Sequence, residues 1–82
     1  MILVDVFVPG MDRNYDFQLN ETIIISAVIE EIGEMISQKE QLDIIGDVDD
    51  LLLCDRKNQI PLPKNKTLAE CGVMTGESLI LV

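Results

Sequence analysis

The last sixteen residues, from Thr67 to Val82, constrain the fold of this chain more than any other segment. Their sequence, TLAECGVMTGESLILV, combines a cap-like turn, a bend that contains glycine, and an apolar strand. Because the sequence ends on this strand without a flexible tail, we expect a folded surface that binds something rather than an appendage that reacts.

The preceding sequence predicts further strands and one helix. Ile2 to Val8 alternate between an apolar face and a second face that includes Asp5, the pattern of a half-buried strand. From about Ile25 apolar residues recur at helical spacing opposite several glutamates, which predicts an amphipathic helix capped by Thr22 or Ser26. Shorter strands are predicted over Tyr15–Leu19, Leu51–Cys54, Gln59–Leu62 and Ser78–Val82.

This order of elements predicts an α+β domain in which one helix packs across a mixed sheet. The first and last strands should lie side by side and parallel in its centre. A chain of 82 residues, 48% of them hydrophobic, is sized for one compact core. We therefore expect a single domain over residues 1–82.

The element order resembles the ubiquitin-like β-grasp fold, and the C-terminal segment resembles one family within it. The segment is similar to the signature Thr-Leu-x-x-x-Gly-Val-x-x-Gly-(Asp/Glu)-x-Leu-x-Leu of the YukD/EsaB family. The matching residues are Thr67, Leu68, Gly72, Val73, Gly76, Glu77, Leu79 and Leu81. The helix pattern Ile25-x-x-Val28-Ile29 also fits this family.

This resemblance implies a β-grasp sheet of about four to five strands with one packed helix. It also implies a non-catalytic accessory or regulatory protein of the type VII secretion system of Gram-positive bacteria, which binds components of that machine in the cytoplasm. A similar domain is fused to the membrane subunit EccD in actinobacteria. A stand-alone ubiquitin-like adaptor or scaffold unrelated to secretion is the alternative hypothesis.

The charge of the chain narrows the class of partner. Fifteen acidic and six basic residues give a net charge of −9, which repels nucleic acid and anionic lipid headgroups and favours a basic partner. No apolar run is long enough to span a bilayer, and the first residues do not form a signal peptide. We expect a cytoplasmic protein with a protein partner, and two free cysteines, Cys54 and Cys71.

The sequence lacks the residue patterns of the catalytic and cofactor sites considered for a chain of this kind. It contains no histidine to activate a cysteine, and Leu81-Val82 stands where a modifier or sulfur carrier needs Gly-Gly. A truncated modifier or sulfur carrier is the least favoured alternative. The acidic residues Asp43, Asp47, Asp49 and Asp50 lack the spacing of a calcium loop. We therefore predict no enzyme activity, no cofactor and no metal. Residues 40–50 are predicted to form a solvated acidic loop, in which Leu42, Ile44 or Ile45 packs into the open end of the core.

One face of the predicted sheet is unusually apolar. If Leu79 and Leu81 point into the core, Ile80 and Val82 point outward. They would join three apolar side chains of other strands, namely Leu3, Phe7 and Leu52. A patch of this kind is typical of a protein-binding surface, unless a side chain such as Arg13 covers it. We predict that these five residues bind a partner protein or a second copy of the chain.

Overall fold

The computed structural model of the protein describes residues 1–41 and 50–82. Its elements are β1 (Ile2–Val8), a 3-10 turn (Pro9–Met11), β2 (Arg13–Leu19), α1 (Ile25–Glu40), β3 (Leu53–Asp55), β4 (Ile60–Pro61) and β5 (Ser78–Leu81). The five strands form one sheet in the order β2-β1-β5-β3-β4. The pair β1 and β5 is parallel and the other pairs are antiparallel, which confirms the predicted mixed sheet with the last strand at its centre.

The strand boundaries differ from the predicted ones where pairing, rather than pattern, decides them. β2 begins at Arg13 instead of Tyr15, because its pairing with β1 continues as far as Val8. β3 begins at Leu53, although Leu52 still exchanges two backbone hydrogen bonds with Val82, of 2.7 and 2.9 Å. β4 has two residues rather than four and ends at a proline, which cannot donate a hydrogen bond to a neighbouring strand.

The beginning of α1 corrects the predicted cap. Neither Thr22 nor Ser26 caps the helix: the N-cap residue is Ile24, and it makes no side-chain hydrogen bond. The N–H groups of Ile25 and Ser26 have no partner within the helix, and they donate instead to the carbonyls of residues 66 and 64, at 2.8 and 3.1 Å. The Thr22 hydroxyl lies 2.6 Å from the Asn20 side-chain oxygen. A distant backbone segment therefore satisfies the helix terminus.

The core lies between α1 and one face of the sheet. The helix contributes the apolar stripe that its period predicted, and the sheet contributes alternate residues of each long strand. The members of this core are Val4, Val6, Val8, Tyr15, Phe17, Leu19, Ile25, Val28, Ile29, Ile32, Ile36, Leu53, Leu68, Val73, Leu79 and Leu81. Leu79 and Leu81 thus point inward, as predicted.

The segment before β5 forms the expected cap-like turn. The Thr67 hydroxyl accepts a hydrogen bond from the Glu70 N–H at 3.0 Å, and the Glu70 carboxylate accepts one from the Thr67 N–H at 3.1 Å. This reciprocal pair is the capping-box arrangement. Gly72 and Gly76 then take φ values of 76° and 92°, which side chains rarely allow. The Gly76 N–H donates to the Leu3 carbonyl at 2.8 Å and so places β5 beside β1.

Two predictions concern residues that the structure does not describe. The plug formed by Leu42, Ile44 or Ile45 falls on them, and so do three of the four aspartates weighed as calcium ligands, Asp43, Asp47 and Asp49. Both predictions lie outside the described residues.

Candidate protein-binding face

The open face, as we name it, is the side of the sheet opposite α1. Side chains alternate between the two faces of a strand, so the outward residues follow from the buried ones. The open face comprises Leu3, Asp5 and Phe7 of β1, Asn14, Asp16 and Gln18 of β2, Ser78, Ile80 and Val82 in and after β5, and Leu52, Cys54 and Arg56 in and beside β3.

The strand register brings four of the five predicted patch residues together. Phe7 lies opposite Ile80, and Val82 lies opposite Leu52 through their paired backbone hydrogen bonds. Phe7 and Ile80 are half-buried, whereas Leu52 is 40% and Val82 50% exposed. The open face is therefore accessible at its apolar end, and β5 is central rather than at an edge.

Cys54 belongs to the same group, although sequence reasoning treated it only as a thiol. It pairs with Ile80 on one side and with Pro61 on the other, and it is buried. Leu52 and Cys54 are two positions apart in the predicted strand Leu51–Cys54, so alternation alone could have placed Cys54 on this face. We call Phe7, Leu52, Cys54, Ile80 and Val82 the apolar cluster. Burial raises the pKa of the Cys54 thiol, which disfavours the reactive thiolate.

The structure does not bring Leu3 into the apolar cluster. Leu3 is 49% exposed, but Asp5 follows it as the next outward residue of β1 and separates it from Phe7. Asp5 pairs with Asp16 on β2 and with Ser78 on β5, so a polar row crosses the sheet at this level. Leu3 is thus an isolated apolar residue beyond that row.

A cation covers part of the cluster, but it is Arg56 and not Arg13. The Arg56 guanidinium carbon lies 5.4 Å from the centroid of the Phe7 ring, and its Nη1 lies 3.9 Å from Asp5 Oδ2. Both distances suit weak attractive contacts at a partly exposed site. Arg13 instead pairs with Glu40 at 3.3 Å. The suggestion that Arg13 covers the patch is therefore wrong.

A cleft of about 440 Å³ adjoins the polar row. It is lined by Asp55, Arg56, Lys57, Glu77 and Ser78. Over residues 1–41 and 50–82, no group of three or more metal-ligating side chains is present. No helix in the same part of the chain has both the length and the apolar character needed to cross a bilayer.

Comparison with known proteins defines the family. The family model described as "WXG100 protein secretion system (Wss), protein YukD" matches residues 3–81. The chain belongs to the YukD family. No curated protein matches it by sequence. Gly72 and Gly76, two of the residues that match the YukD/EsaB signature, have positive φ values in the turn before β5.

Solved structures show that this YukD protein has the ubiquitin-like fold. The ubiquitin-like domain of EccD5 from Mycobacterium xenopi is 19% identical, with a TM-score of 0.77, over 99% of this chain and 91% of that one. The ubiquitin-like domain of Plasmodium falciparum Dsk2 is 20% identical, with a TM-score of 0.72, over 99% and 95%. An Arabidopsis thaliana ubiquitin-like domain is 16% identical, with a TM-score of 0.72, over 99% and 74%. At these identities the likeness concerns the fold alone, which is the predicted α+β β-grasp.

Proposed function

We propose that this protein is a non-catalytic accessory protein of a WXG100, or type VII, secretion system, and that it acts in the cytoplasm by binding another protein. The match to the YukD family over residues 3–81 carries this proposal. The likeness to the EccD5 domain supports the fold that such a role would use.

The apolar cluster on the open face is the surface that we propose for this binding. Leu52 and Val82 are exposed side by side, beside half-buried Phe7 and Ile80. Covering exposed apolar side chains is the main favourable contribution to most protein association. The cluster also lies in and beside β1, β5 and β3, each of which pairs with a neighbouring strand on both sides.

A secretion assay tests both parts of the proposal. In a bacterium that encodes this protein, deletion of its gene should reduce export of the Trp-x-Gly substrates of the system. The wild-type gene should restore export, and a gene carrying Leu52→Asp should not. A partner bound to the apolar cluster would have to bury the carboxylate of this variant. Ile24→Asp is the matched control, since Ile24 is 46% exposed and is the N-cap residue of α1, where an aspartate is favourable.

The outcomes separate the two parts. If deletion leaves export unchanged, the secretion role is wrong, and the adaptor hypothesis takes its place. If deletion abolishes export but the Leu52→Asp gene restores it, the protein acts through another surface. Circular dichroism of the purified variants checks that each one folds.

A further inference from the structure

The polar row of the open face contains a pair of like charges. Asp5 of β1 and Asp16 of β2 are directly opposite each other in the antiparallel register, on the same face. Side chains in such positions lie roughly 5 Å apart at Cβ, and like charges there destabilise the sheet. The fold therefore places two carboxylates opposite each other near the β2 edge of the open face.

Among the described residues, only one of these two carboxylates has a cationic partner. Arg56 reaches Asp5 at 3.9 Å, and its side chain is 47% exposed. Asp16 is exposed, and no described residue forms an ion pair or a side-chain hydrogen bond with it. The carboxylate of Asp16 is thus the uncompensated charge of the row.

Apolar side chains flank the acidic pair along β1. Leu3 precedes it and Phe7 follows it as the neighbouring outward residues, and Phe7 begins the apolar cluster. A cation docked between Asp5 and Asp16 would therefore touch apolar surface on both sides. This arrangement suits a long basic side chain, which has an apolar stem and a charged head, better than a bare metal ion that needs six or more oxygen ligands.

We propose that the open face binds a basic segment of its partner, with one Arg or Lys of that segment seated at Asp5 and Asp16 and its apolar residues on the apolar cluster. This inference rests on the proposed function and specifies the chemistry of the partner. Charge complementarity supports it, because the net charge of −9 attracts basic segments over a distance and the acidic pair gives them a defined seat.

A second acidic surface provides the internal control. Glu30 and Glu34 lie one turn apart on the exposed side of α1, so they also form a like-charge pair. These residues point away from the sheet. Nonspecific attraction to the charge of the protein would involve both surfaces, whereas the proposed seat involves only the open face.

The experiment is a nuclear magnetic resonance titration of the full chain with a short synthetic peptide in which arginine and leucine alternate. A counterpart peptide carries glutamate in place of arginine. The arginine peptide should perturb the amide signals of β1, β2, β3 and β5, and the glutamate peptide should perturb none of them. The preference should weaken as ionic strength rises from about 0.01 M to about 0.15 M.

Two charge-matched variants decide the assignment. Asp16→Asn should weaken binding of the arginine peptide about threefold, the factor expected for one partly exposed ion pair, without lowering the thermal midpoint of unfolding. Glu34→Gln removes the same charge from α1 and should leave the affinity nearly unchanged. Equal losses in the two variants, or signal changes centred on α1, would overturn the inference.

The secretion assay remains a separate test. If Leu52→Asp abolishes export while Asp16→Asn binds the peptide as tightly as the wild type, the proposed function stands and the basic seat is wrong. If the Asp16→Asn variant loses peptide affinity but deletion of the gene leaves export unchanged, the seat exists and the secretion role is wrong.

Discussion

Alanine substitution at two adjacent residues of β5 tests the orientation on which the open face depends. Leu81 is 2% exposed and pairs with buried Leu53 beneath α1, whereas Ile80 points outward and is half-buried. Removing a buried leucine side chain costs about 2–5 kcal/mol, because the lost transfer free energy adds to that of the cavity left behind. For Leu81→Ala we expect about 3 kcal/mol, since its site is closed on all sides.

Ile80→Ala removes a side chain of similar size from the other face. Its site is already open to solvent on one side and no closed cavity forms, so we expect a smaller loss of about 1 kcal/mol. A domain of this size loses about 4–8 °C of thermal midpoint per kcal/mol. Leu81→Ala should therefore lower the midpoint by roughly 12–24 °C, and Ile80→Ala by roughly 4–8 °C.

Thermal and urea unfolding followed by circular dichroism measure both variants under identical conditions. Similar losses of free energy for Ile80→Ala and Leu81→Ala would refute the assignment of faces. The apolar cluster would then belong to the core, and the proposed binding surface would have to be sought elsewhere.

Three further predictions test local features of the structure. Ser26→Ala should change the free energy of unfolding in urea by less than about 0.5 kcal/mol, below the ~1 kcal/mol of a true helix cap, because its side chain does not cap α1. Burial, and then a hydrogen bond to a glutamate, raise the pKa of Tyr15 above its usual value near 10. The folded protein therefore favours the neutral phenol of Tyr15. The free energy of unfolding should keep this contribution below about pH 10 and lose it as the pH rises through the pKa of Tyr15 in the folded protein. Tyr15 is the only tyrosine of the sequence, so ultraviolet absorbance can follow its ionisation. Iodoacetamide should alkylate half-buried Cys71 before buried Cys54 in the native protein and both at similar rates in urea, as mass spectrometry of the peptides would reveal; equal native rates would contradict the placement of Cys54.

The sequence predicts those parts of the fold that depend on local pattern. The alternation of β1 and the helical period from Ile25 both place apolar side chains on one side, and the structure buries those side chains. The reciprocal turn at Thr67 and Glu70 is local as well, and so are the two glycines at positive φ. Each of these features needs only residues that are close in the chain.

The remainder depends on contacts between distant residues. The capping of α1 joins residues 25 and 26 to carbonyls some forty positions away, so no motif at the helix terminus could indicate it. Alternation assigned Leu3, Asp5 and Phe7 to the open face, but only the register revealed that Asp16 and Ser78 extend Asp5 into a polar row across the sheet. Pattern gives the face of a residue, and register gives its neighbours.

Arg56 shows how these contacts bear on binding. Its two contacts, with the Phe7 ring and with Asp5, are partly exposed and together contribute only about 1–2 kcal/mol. Burying the exposed parts of Leu52 and Val82 against a partner would contribute roughly 1 kcal/mol for each residue. The two quantities are comparable, so a partner can displace Arg56 from Phe7 at little net cost. Once Arg56 is displaced, Asp5 also loses its intramolecular cation, and both carboxylates of the row become available to a basic side chain of the partner.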